Sequence, residues 1–183
     1  MDTKKPNRPS REVIAELARA ACRNARAYLD DADVLADAGR DVRAFALTVM
    51  GAEEFGKAFW AQRILEDDSE AAWDSLQAAL GGRGVHQHRL ATLLALEHMV
   101  AEQNPADPTS GMLGLFGAND IFSLRNLALY VELQEEEVWS PQAMVSLENV
   151  GILRRALAKS IIINSIIIEG SLPTHADHTD PSP

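Results

Sequence analysis

Cysteine is all but missing from this chain: Cys22 is the only one. An internal disulfide is therefore excluded, and a lone thiol fits a reducing compartment, so a cytoplasmic location is expected. Cys22 falls among alanines in an apolar helical pattern, which suits a small buried side chain better than a nucleophile. Long apolar runs are lacking too. The most hydrophobic stretch, Ser160 to Ile168, is much shorter than the roughly 20 residues of a membrane span, and Asn164 and Ser165 interrupt it. A buried core helix is its natural assignment, and no membrane partner is expected. Residues 1–11 are polar and basic with two prolines, and lack the apolar segment of a secretory leader. Positive charge is in deficit, with a net −10, which opposes binding to phosphate backbone over the whole surface. A nucleic-acid role then requires a local basic patch. Glycine-rich phosphate loops, nucleophile elbows, dinucleotide fingerprints and zinc-spaced Cys/His sets are absent, so no cofactor and no metal are expected.

What is present is helical periodicity. With 183 residues, 46% of them hydrophobic and 24% charged, the chain is long enough for one domain with a substantial core. Ser10 is a plausible N-cap for a helix from Arg11, with Glu12 in its first turn. An i, i+4 stripe of Val13, Leu17, Ala21, Ala25, Leu29 and Ala32 leads to a stop at Gly39. A second helix runs from Asp41 to about Asp67 with Ala44, Leu47, Gly51, Glu54, Ala58 and Ala61 on one side. Alanine-rich faces of this kind permit close helix–helix approach. Further helices are expected over Glu70–Leu80, His86–Glu102 and Asn119–Glu136. Asn104 to Gly117 reads as a loop. The last helix starts at Ser140-Pro141, an N-cap followed by proline at the first helical position, and runs to about Glu169. No strand alternation is evident. The expected fold is all-α: an antiparallel up-and-down bundle of five to six helices. Residues 11–170 form the domain, between a flexible arm (1–10) and a disordered polar tail (171–183).

Three stretches carry candidate chemistry. In Glu53-Glu54-Phe55-Gly56-Lys57, Glu53 and Lys57 have the spacing of a same-face ion pair. Glu54 falls on the apolar stripe, where a carboxylate must be paired or hydrogen-bonded. Gly56 in mid-helix costs about 1 kcal/mol relative to alanine, which points to a close neighbour there. A structural ion pair is the plain alternative. The second stretch, Arg83-Gly-Val-His86-Gln-His88-Arg89, sets two arginines and two histidines at a helix start, where backbone N–H groups favour an anion. His86 and Arg89 share a face. His86 and His88 point about 200° apart in a helix, a poor arrangement for a metal. The third stretch places Arg125, Asn126 and Tyr130 in an apolar helix. Arginine can hold a phosphate through two parallel hydrogen bonds. The phenol of Tyr130 can position or protonate an oxygen but is a poor base at neutral pH. Alternatively, Arg125 pairs with Glu53 or Glu54 and Tyr130 caps the core.

Taken together, these stretches resemble the AbiV-type abortive-infection family, a branch of the HEPN superfamily of small helical bundles. The similarity runs from Asn24-Ala25 through Arg43-Ala-Phe-Ala-Leu47 into Glu53–Lys57, similar to that family's Glu-Glu-x-x-Lys element. It continues in His86-Gln-His-Arg89, with arginine for the family's lysine, and in Arg125 to Val131 followed by Trp139-Ser140-Pro141. HEPN proteins are commonly ribonucleases with an Arg-x(4–6)-His motif at a dimer interface. Arg83 to His88 has that spacing but lies at a loop or helix start. Arg125-Asn126 has the right opening, yet Tyr130 stands where histidine is expected. The resemblance implies phage defence, by cutting or binding RNA through a local basic patch or by engaging a phage or host protein, and it implies a homodimer. In a metal-independent ribonuclease, Arg125 and Lys57 would stabilise the phosphate transition state, His86 would be the acid or base, Glu54 would orient one of these groups, and Tyr130 would complete the centre. Glu53, Arg83, His88, Arg89 and Asn126 would bind around it. The alternative is a non-catalytic interaction module in which the same residues form a buried polar network.

Overall fold

Ser10 accepts a hydrogen bond from the backbone N–H of Val13 (3.5 Å) and starts the first helix, α1, at Arg11–Asp37. The computed structural model describes residues 8–81, 84–103, 117–129, 132–134, 137–139 and 147–172. The buried face of α1 begins with Ile14 and Ala18, not with the expected Val13, which is 57% exposed. Steps of four residues overshoot a full turn by about 40°, so a stripe made only of such steps winds off the face; mixed steps of three and four stay on it. Gly39, with φ 69°, ends the helix in the left-handed conformation that glycine adopts without strain. The chain then reverses into α2 (Asp41–Glu66).

The second helix is the centre of the molecule. It packs against α1, α3 (Glu70–Leu80), α4 (Val85–Gln103), α5 (Ala118–Leu129) and α6 (Leu147–Ser171). Its apolar residues are accordingly buried on several sides, Phe45, Val49 and Phe55 completely, and not along the single expected stripe. Small residues set the closest approach. A Cβ on Gly51 would lie 3.0 Å from the Ala25 carbonyl oxygen of α1. Ser69 caps α3 by accepting from the Ala72 N–H (3.3 Å). Arg8 is held against the same helix: it pairs with Glu70 and with Asp68, and its guanidinium lies 5.0 Å over the Trp73 ring.

The fold is an all-α antiparallel bundle, with six helices among the described residues. Two differences from expectation stand out. The fifth helix stops at Leu129, and a short antiparallel hairpin follows, β1 (Glu132–Gln134) paired with β2 (Glu137–Trp139), Leu133 opposite Val138. Extending the helix to Glu136 would have placed Glu132, Glu135 and Glu136 at its C-terminus, against the negative end of the helix dipole. The isoleucine run is helical, as expected, but only partly core. Ile161 and Ile168 are buried, whereas Ile162, Ile163, Ile166 and Ile167 are 45 to 63% exposed. The expected helix start at Ser140-Pro141 lies outside the described residues. No helix among them is long and apolar enough to cross a membrane.

Cys22 is completely buried on α1. Desolvation, reinforced by the charge of Glu169, pushes its thiol up to about 11 from an ordinary 9.0. Two outcomes follow. A thiol reagent at pH 8 leaves the native protein unmodified and labels Cys22 only after denaturant is added. The raised value also means that the unfolded chain loses this proton first. Stability from the neutral buried thiol is therefore complete below about pH 9 and is lost as pH rises towards about 11. Denaturation midpoints for wild type and Cys22→Ala measured across that range check the second outcome: the loss should be smaller in the variant.

Candidate functional site

Glu53 is the hub of the polar centre. It lies on the side of α2 covered by α4 and α5 and is 5% exposed. A carboxylate so placed persists only with partners for its oxygens. It has two. Oε2 accepts from Nδ1–H of His86, in the first turn of α4, at 2.6 Å; Oε1 accepts from Nη1–H of Arg125, on α5, at 2.5 Å. Asn126 Oδ1 in turn accepts from Arg125 Nη2 (2.9 Å) and Nε (3.3 Å).

The local sequence explains why these groups meet. Gly56 follows Glu53 by three residues, and Arg89 follows His86 by three. A Cβ on Gly56 would lie 2.7 Å from the Arg89 carbonyl oxygen and 2.8 Å from its Cα. The missing side chain therefore lets the α4 backbone touch α2, and one turn earlier that contact delivers His86 to Glu53. Replacing Gly56 with alanine should force the helices apart. The helix-propensity gain of about 1 kcal/mol is outweighed by overpacking against backbone, typically about 1–3 kcal/mol and here without a flexible side chain to yield. Urea denaturation should show a net loss of about 1–2 kcal/mol. A more stable Gly56→Ala protein would refute this account.

Phe122 forms the floor of the centre. Its ring stacks on the imidazole of His86 (5.3 Å between centroids, 21° between planes), and the Arg125 guanidinium carbon lies 4.7 Å from its centroid. The Arg125 side chain is 12% exposed and that of His86 40%. The centre thus grades from a buried carboxylate to an imidazole that meets solvent. Nδ1 of that imidazole is fixed on Glu53, and its other nitrogen, Nε2, has no partner among the described residues.

The sequence model of the AbiV family matches residues 13–158, a span that contains Glu53, His86, Phe122, Arg125 and Asn126. The chain belongs to the AbiV family. This places it among abortive-infection proteins of the HEPN type. No curated protein and no solved structure matches it.

Within this centre the two glutamates exchange the places expected of them. Glu53 is the core carboxylate. Glu54 instead pairs with Lys57 at 2.5 Å, three residues on, and both line a groove against Ala20, Ala21 and Asn24 of α1. The expected Glu53–Lys57 pair does not form, because Glu53 is turned between α4 and α5 and its oxygens are occupied. The alternative pairing of Arg125 with Glu53 is the one that occurs. Arg89 is directed away: its Nε donates to the Ala79 carbonyl oxygen (2.5 Å), satisfying an end of α3. His88 faces elsewhere, stacked on Trp60 (5.6 Å, 18°), whose indole N–H donates to Thr92. The two histidines are thus separated as their helical spacing requires. Arg83 and Tyr130 lie outside the described residues. No His, Cys, Asp or Glu cluster suited to a metal occurs among those described. Sequence reading missed Phe122, although its place three residues before Arg125, on the same helix face, was a usable signal.

Proposed function

We propose that this AbiV-family protein acts on RNA in phage defence, and that the Glu53 centre performs acid–base catalysis of phosphodiester cleavage. The observation that carries the reading is the 2.6 Å contact between a buried carboxylate and Nδ1 of a half-exposed histidine. A carboxylate on one ring nitrogen fixes the tautomer and the ring plane, and leaves the other nitrogen to move a proton. In this role Nε2 of His86 takes the proton from a ribose 2′-hydroxyl, the 2′-oxygen attacks the adjacent phosphorus, and the 5′-oxygen leaves and is protonated by solvent. The products are a 2′,3′-cyclic phosphate and a 5′-hydroxyl end. Arg125 is first a positioning residue, holding Glu53. Of its five N–H donors, three are used by Glu53 and Asn126, which leaves two to face a phosphate beside His86.

The second reading, a non-catalytic module that binds a protein partner, is favoured by a different observation. The Arg125 side chain is 12% exposed and its guanidinium is held from two sides, as in a purely structural network. Purified protein incubated with RNAs of varied sequence, with and without a metal chelator, separates the two. Cleavage to cyclic-phosphate ends that persists in chelator supports catalysis. Intact RNA throughout leaves the centre as a structural network.

A further inference from the structure

The Glu54–Lys57 pair lies outside the chemistry at Glu53. Its side chains are 16 and 20% exposed, with Glu54 Oε1 at 2.5 Å from Lys57 Nζ. Withdrawing a carboxylate and an ammonium this far from water is costly unless their remaining oxygen and N–H groups also find partners. Among the described residues they have only each other. Oε2 of Glu54 and two of the three Lys57 donors are left for the groove between α1 and α2 that both residues line. The facing wall on α1 is built from Leu17, Ala20, Ala21, Asn24 and Ala27, a row in steps of three and four that keeps to one side of the helix. Three of these five side chains end at Cβ, so the wall is flat. The groove encloses about 540 Å³, within the roughly 300–1,000 Å³ of ligand pockets.

The charges of the groove select its ligand. Positive charge is not in surplus: Lys57 is matched by Glu54, and Arg23, which also lines the groove, pairs with Glu16 at 2.7 Å. A free phosphate therefore meets as much repulsion as attraction, and a cationic ligand is opposed by Lys57. What fits is an uncharged planar group with two N–H donors side by side and a carbonyl next to them. A carboxylate beside an ammonium is the complement of the guanine edge, where the N2 amine and N1–H are adjacent donors and O6 follows as an acceptor. Adenine and cytosine instead turn a ring-nitrogen acceptor towards the carboxylate, and uracil offers it a single donor.

We infer that the groove between α1 and α2 binds the guanine ring of a nucleotide. Glu54 Oε2 accepts from the N2 amine and Oε1 from N1–H, Lys57 donates to O6, and the ring lies against the alanines of α1. The inference is independent of catalysis at His86. Its test is calorimetric titration of the full chain with GMP, IMP and AMP, and with the trinucleotides dApdGpdA and dApdApdA, which lack the 2′-hydroxyl needed for cleavage. GMP should bind with a Kd below about 1 mM. IMP, without the N2 amine, should bind about 10-fold more weakly, and AMP and dApdApdA not measurably. Tighter binding of dApdGpdA than of GMP identifies guanine within a strand as the ligand; equal or weaker binding identifies a free nucleotide. Glu54→Gln, which removes the charge and one acceptor, should weaken GMP by about 10-fold or more. Ala20→Leu fills the groove from an exposed helix position without touching the pair, so it should abolish binding and leave the melting temperature unchanged. Failure of both guanine ligands to bind, equal binding of GMP and AMP, or GMP binding unchanged in Glu54→Gln or in Ala20→Leu would each overturn the inference.

Discussion

Replacing His86 with alanine should lower RNA cleavage by about 10²–10⁴-fold, the range for loss of a general acid–base group, and leave the fold intact. The second half of that expectation rests on the pairing at Glu53. Removing the imidazole frees Oε2 but leaves the ion pair with Arg125 at 2.5 Å, so the buried charge keeps its principal partner. His86 is also 40% exposed, and its replacement opens little cavity beyond the face of Phe122. A melting temperature within a few degrees of wild type is expected. His86→Asn sharpens the test. Its amide nitrogen stands where Nδ1 does and can still donate to Glu53 but cannot shuttle a proton, so a catalytic histidine predicts a stable, inactive protein. Activity retained in His86→Asn would show that the imidazole serves only as a hydrogen-bond donor. Lys57→Ala, by contrast, should alter cleavage much less, because Lys57 is bound to Glu54 in the groove against α1.

Much of the helical framework was legible from local signals. Ser10 caps the first helix and Gly39 ends it, and the helical apolar pattern marked the others; the cap at Ser69 was not read. What failed were inferences that depend on how many neighbours a helix has. The apolar residues of α2 do not keep to one face, because α2 is surrounded; Glu53 and Glu54, one residue and about 100° apart, are then both able to meet another helix. Choosing between them required knowing where α4 lies, and that is set by Gly56 against Arg89 in three dimensions. The isoleucine run misled for a related reason. Hydrophobicity marks a wish for burial without stating whether the cover is the same chain or another. The hairpin after Leu129 was hidden because its strands are only three residues long, too short for a period to show.

Arg125→Met should be the most destabilising change at the centre, costing about 3–5 kcal/mol, the usual result of leaving one member of a buried ion pair behind. Glu53 is 5% exposed, so it cannot turn to water for compensation without displacing α4 or α5. His86 remains on one oxygen, which places the expected loss towards the lower end of that range. The second substitution Glu53→Gln tells charge from packing. With no carboxylate to strand, Arg125→Met should cost much less, and the double variant should be more stable than Arg125→Met alone. Urea denaturation of the four proteins in the cycle gives the coupling energy. Additive effects would mean that Arg125 acts through its contact with Phe122 and not through Glu53. Strong coupling has a functional corollary, since Arg125 then holds the same carboxylate that orients His86. The stabilised double variant should accordingly fold well and cleave poorly, whereas in a structural network with catalysis elsewhere restored stability should bring restored activity.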